Sequence, residues 1–164
     1  MSKKVKILKP FGKSKIDKAV AFIICGIDKA IDDYYQGKAQ TEAVRLIREQ
    51  YLGELPVGNG LILEMGGNGF PYLILAPTMR IPGNESNSIN AYLAMMRGLL
   101  VAIARHNRNK ERKIETVAIP SLCTGIGAMS VEESAEQMFT AFHNVVLSAW
   151  KSVKHPAMAP YSSR

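Results

Sequence analysis

Apolar residues recur along this chain in two rhythms. Short apolar runs read as strands: AVAFIIC (19–25), LILEM (61–65), YLILA (72–76) and IETVAIP (114–120). The first shows no polar alternation, as expected of a strand covered on both faces. VKIL (5–8) reads as an edge strand. Elsewhere apolar positions fall at helical spacing. Ile27, Ala30, Ile31 and Tyr34 mark one helix, which Gly37 can end. TEAVRLIREQYLG (41–53) reads as a second. A longer helix runs from about Ile89 to His106, with Tyr92, Met96, Leu99, Leu100 and Ile103 as its buried stripe. Its methionines read as core filler. A last helix starts after Ser130, and Glu133 three residues on completes a capping box. Its expected inward face is Val131, Ala135, Met138, Phe139, Phe142, Val145, Val146 and Trp150. GGNG (66–69) between two strands reads as a hairpin turn.

Strands alternating with helices predict an α/β fold, a sheet flanked by helices on both sides. A chain of 164 residues holds one such domain, here 1–164, with a basic N-terminal segment (1–18) and a loosely ordered tail (152–164). No apolar run approaches the ~18–20 residues that span a bilayer. No apolar h-region follows the basic N-terminus, so no signal peptide and no membrane association are expected. Two cysteines are too few for a disulfide framework, which predicts a cytoplasmic setting. They also make a poor zinc site without a CxxC or a nearby histidine.

Charge changes the picture in one respect. The net charge is +7 and it is clustered. Seven lysines fall within residues 1–18: Lys3, Lys4, Lys6, Lys9, Lys13, Lys15 and Lys18. Arg105, Arg108, Lys110, Arg112 and Lys113 form a second group. Such clusters suit polyanions. They also suit a solvated face and a helix C-terminus, and no aromatic residues are interleaved to stack bases. Of the histidines, His106 reads as exposed in the basic helix end and His143 as a partnered structural residue.

In an open α/β sheet, ligands bind beyond the carboxyl ends of the strands. Two segments have the right form. Cys25-Gly26-Ile27-Asp28 turns a strand directly into a helix, and Ser121 to Met129 carries Gly125 and Gly127 between a strand and a capped helix. Small residues there admit a ligand close to the backbone, whose amides can meet phosphate oxygens. Neither segment fits the Walker A pattern or the dinucleotide G-x-G-x-x-G fingerprint. Cys25 and Cys123 both follow strands and are expected at the crevice, but no activating group is identifiable for either.

Four segments follow in a telling order: GIDKAI (26–31), PVG (56–58), APTMRIP (76–82) and PSLCTGIGAM (120–129). In this order they resemble the macrodomain family, in particular a small bacterial and phage branch. The resemblance runs from about Asp17 to Val146. It implies a three-layer α/β/α mixed sheet and binding of ADP-ribose or a related NAD-derived nucleotide, as a sensor or sponge. By the same resemblance Ser121, Leu122, Cys123, Thr124, Gly125, Ile126 and Gly127 wrap the diphosphate and distal ribose. Gly26 and Ile27 form the other diphosphate loop. Asp28 falls where hydrolytic members have a proton-handling aspartate, and its place at a helix start favours the ionised form. No cofactor or metal is implied.

The chain departs from the family pattern at three places, one being that its last helix leads to no final strand. Lys13 stands where the adenine-recognising Asp would align. About ten residues of the first ligand loop are missing between AFIIC and GID, by comparison with the family pattern. The Asn that orients the distal ribose in hydrolytic members has no counterpart, which favours binding over hydrolysis. The alternative activities are hydrolysis of ADP-ribosyl esters or ADP-ribose phosphates through Asp28, and a basic nucleic-acid-binding or phage structural role. The expected location, if the chain is phage-encoded, is the host cytoplasm.

Overall fold

The computed structural model describes residues 19–24, 29–66 and 70–152, with 19–24 and 29 as backbone alone. Four strands form one mixed sheet: β1 (Ala19–Ile24), β2 (Leu61–Glu64), β3 (Tyr72–Leu75) and β4 (Ile114–Ala118), in the order β2-β3-β1-β4. β1 lies between β3 and β4 and is parallel to both. β2 pairs antiparallel with β3, as a hairpin connection requires. Residues 67–69 of that connection, and the expected strand 5–8, lie outside the described residues.

Among the described residues, five α-helices flank the sheet: α1 (Lys29–Tyr34), α2 (Lys38–Tyr51), α3 (Asn90–Leu93), α4 (Ala102–Asn109) and α5 (Val131–Val145). A π-helical segment, Ala94–Val101, joins α3 to α4 without a break. α2 begins three residues before the expected Thr41. Gly37 at φ 79° turns the chain there, and the Asp32 carboxylate accepts from the amide of Gln40 at 2.9 Å. That supplies one of the partners a helix N-terminus lacks.

β3 divides its side chains between two cores, as alternation demands. Leu73 and Leu75 pack with Leu61, Leu63, Ala39 and Ala43 under α2. Tyr72, Ile74 and Ala76 pack with Ala91, Met95, Leu99, Leu122 and Ala141 on the other face. The result is the expected three-layer α/β/α arrangement.

Two expected helix faces are displaced. In the long helix Leu99 of the expected stripe is fully buried and Tyr92, Met96, Leu100 and Ile103 pack half-buried against the same core, while Ala91, Ala94 and Met95 are more deeply covered than they are. The π segment adds a residue to the turn and rotates the stripe. In α5 the covered residues are Ser134, Ala141 and Asn144. Val131, Phe139, Phe142, Val146 and Trp150, expected inside, are exposed. Polar bonds set that rotation. Ser134 Oγ donates to Leu122 O at 2.7 Å, Gln137 Nε2 to Ser88 O at 2.8 Å, and Asn144 Nδ2 to Tyr92 Oη at 3.2 Å. Small and amide side chains let α5 sit close to α3, a seam invisible to a reading based on hydrophobicity.

Candidate functional site: the carboxyl edge of the sheet

Because β1, β3 and β4 run parallel, the segments leaving them emerge at one edge. The antiparallel β2 begins there too, since Leu61 pairs with Leu75. Among the described residues, the edge therefore gathers the 56–58 segment, the 76–82 segment and the 120–129 loop. Side-chain and backbone bonds tie these pieces together. Arg80 Nε donates to Glu54 Oε1 at 2.7 Å, linking the 76–82 segment to the chain just before 56–58. The Glu85 amide donates to Gly127 O at 2.7 Å, linking the chain just after 76–82 to the 120–129 loop. Arg80 holds the Glu54 carboxyl below its ordinary pKa, by its hydrogen bond first and its charge second.

The 121–129 loop is a wrapped turn with an exposed crest. Leu122 and Cys123 are buried, and so are Gly127 and Met129, while Ser121, Gly125, Ile126 and Ala128 face outwards. Internal bonds shape it: the Ala128 amide donates to Gly125 O at 3.1 Å and the Met129 amide to Cys123 O at 3.1 Å. Cys123 (φ 62°) and Ala128 (φ 53°) adopt the left-handed backbone that L side chains disfavour. Such strain persists where surrounding structure enforces it, often at ligand sites. Among the described residues, the amides of Thr124, Gly125 and Ile126 have no acceptor. Ser130 Oγ accepts from the Glu133 amide at 3.0 Å, the expected cap of α5.

Ser121, Gly125 and Ile126 thus line the crest, with Thr124 half-buried among them. Leu122 and Gly127 serve the loop from beneath. The Cys123 side chain lies in the core rather than at the crevice. Gly26, Ile27 and Asp28, together with Cys25, lie outside the described residues. So do Lys13, Asp17 and the N-terminal lysines.

Both histidines differ from expectation. His106 is buried, its Nε2 3.0 Å from Arg112 O and its ring edge-on to Tyr72 at 4.7 Å. His143 is exposed, with Phe139 beside it at 6.3 Å between ring centroids. No group of three or more His, Cys, Asp or Glu among the described residues could hold a metal ion. No helix among them is long and apolar enough to cross a membrane.

The Macro domain family profile matches residues 24–138, which include the whole of this edge. The chain belongs to the macro domain family. Its fold matches solved members. It superposes on the macrodomain of Mycobacterium tuberculosis DarG with a TM-score of 0.59 at 20% identity, covering 82% of this chain and 89% of that one. A mutant macrodomain of Oceanobacillus iheyensis, solved with ADPR, superposes with a TM-score of 0.54 at 17% identity, covering 80% and 74%. An uncharacterized protein of Aeropyrum pernix is 35% identical over 83 residues, 51% of this macro domain chain. The match spans 40% of that relative's length.

Proposed function

We propose that this macro domain binds ADP-ribose, or a closely related NAD-derived nucleotide, at the carboxyl edge of the sheet. The loop 121–127 wraps the diphosphate, and the protein acts as a sensor or sponge. The observation that carries this reading is the crest of that loop. The amides of Thr124, Gly125 and Ile126 lack acceptors among the described residues, and a Cβ added at Gly125 would meet nothing within 4 Å. Backbone amides on an open, strained turn suit a diphosphate, whose oxygens accept several hydrogen bonds at once.

The test is calorimetric titration with ADP-ribose at low and moderate salt. Micromolar, largely salt-independent binding is expected. No heat of binding at either salt overturns the reading. Capture without turnover is the proposed mode. Hydrolysis of an ADP-ribosyl ester by the parent protein, lost in Asp28→Ala, would replace it with the enzymatic reading.

A further inference from the structure

β2 is an edge strand of the described sheet. A cavity of about 280 Å³ lies along it. It is lined by residues 58–62, by Gln50 and Tyr51 at the end of α2, and by residues at helical spacing from Arg97 to Lys110. It shares Gly58 with the 56–58 segment of the carboxyl edge, and no residue with the 121–129 loop or the 76–82 segment.

Its charge is one-sided. The lining holds Arg97, Arg105, Lys110 and His106, and no aspartate or glutamate. Most of the basic cluster at the end of α4 is engaged. Arg108 Nε donates to Ala104 O at 3.3 Å and Lys113 Nζ to Lys110 O at 2.6 Å, as cations at a helix C-terminus do. Lys110 Nζ pairs with Glu64 Oε1 at 3.1 Å. Arg97 and Arg105 differ. Among the described residues neither has a carboxylate within 4.0 Å or a hydrogen-bond acceptor. They stand eight residues apart on the same helix face, over the same cavity. Both line the same cavity, and a bound anion would offset the like charge they bring to it. Asn59 and Asn109 add neutral donors to the same lining.

We propose that this cavity is a second binding site, for a phosphate-bearing anion. The guanidinium fork of arginine matches the oxygens of a phosphate in two parallel hydrogen bonds. The site rests on its own charge and shape, independently of the proposed ADP-ribose site. The phosphate comes either from a small phosphorylated molecule or from a polynucleotide backbone.

The test maps binding by the amide signals of the glycines, using inorganic pyrophosphate and a short oligothymidylate as probes. Pyrophosphate should shift Gly58 and Gly60 saturably. The Arg97→Ala/Arg105→Ala variant should weaken that effect about tenfold or more, the loss expected for charge-assisted bonds. Both side chains are exposed and unpaired, so signals from glycines away from this helix, Gly37, Gly53 and Gly125, should stay in place and report an intact fold. Shifts confined to Gly125 and Gly127, or equal affinity in the double variant, overturn the site. Tight oligothymidylate binding, with a log–log salt slope that falls by about one per arginine removed, assigns the phosphate to a polynucleotide. Binding of pyrophosphate alone assigns it to a small molecule. ADP-ribose titration of the double variant should match the parent, so either site can fail without the other.

Discussion

At Gly125 an added Cβ would meet nothing within 4 Å, whereas at Gly127 it would lie 2.5 Å from the Cys123 carbonyl oxygen. The two glycines of one motif therefore do different work. Gly125→Glu should place a charge in the diphosphate path and abolish ADP-ribose binding, while stability stays within about 0.5 kcal/mol of the parent. Unchanged affinity by calorimetry would separate the loop from the ligand. Gly127→Ala should instead cost about 1–3 kcal/mol in urea unfolding, because backbone must move to admit the methyl group. The sequence showed both glycines but not this division, since the carbonyl that closes over Gly127 comes from the wrapped turn itself. His106 shows the same limit. Its neighbours in sequence are charged, and only the packing of α4 on β3 brings Tyr72 against its ring.

Helices and strands were legible where a period or a cap is local, and less so where a neighbour decides. The four strand runs among the described residues and the Ser130 cap fall where expected, because run length and capping chemistry are written within a few residues. The π segment is not local in that sense. At Gly60 a Cβ would lie 1.6 Å from the carbonyl oxygen of Gly98, so the start of β2 and the middle of the π segment meet backbone to backbone. Gly60→Ala is expected to cost about 3 kcal/mol or more, the upper range for overpacking, and differential scanning calorimetry would show it as a lowered Tm. The α5 seam makes a second test. Gln137 donates to Ser88 O and accepts from the Tyr92 amide at 3.1 Å. It thereby serves an amide in the first turn of α3, which has no partner inside the helix. Gln137→Ala leaves both groups without their partner and should cost about 1–3 kcal/mol. Loss of less than the experimental error would mean water replaces the amide.

For the whole molecule, the order of four segments carried more information than any one of them. Parallel pairing brings their strands' carboxyl ends to a common edge, so order along the chain becomes proximity in space. Electrostatic contributions to stability follow from the same packing, and they bound the pH range. On the acid side, Arg45 holds Glu42 and Arg80 holds Glu54 below their ordinary values, through hydrogen bonds first. Their contribution is present above the unfolded carboxylate range and fades as pH falls through the lowered values. All four side chains are solvent-facing, so the effect is small and salt-sensitive. On the alkaline side Tyr35 matters more. Its hydroxyl donates to Phe70 O at 2.8 Å. Burial, then the neighbouring Tyr34, pushes its pKa up from 10.0 to about 12. Below pH 10 the phenol is neutral in both folded and unfolded chains, and its stabilisation is complete. Between the two values the unfolded chain ionises first, so stability falls as pH rises. Tyr35→Phe removes the hydrogen bond, at a cost of about 1 kcal/mol near neutrality, and also removes the ionisation. The gap in Tm between parent and variant should therefore close and then change sign as pH rises from 10 towards 12, with the tyrosines away from Tyr35 cancelling in the difference. A gap that stays constant over that range would show that Tyr35 ionises alike in the folded and unfolded chains.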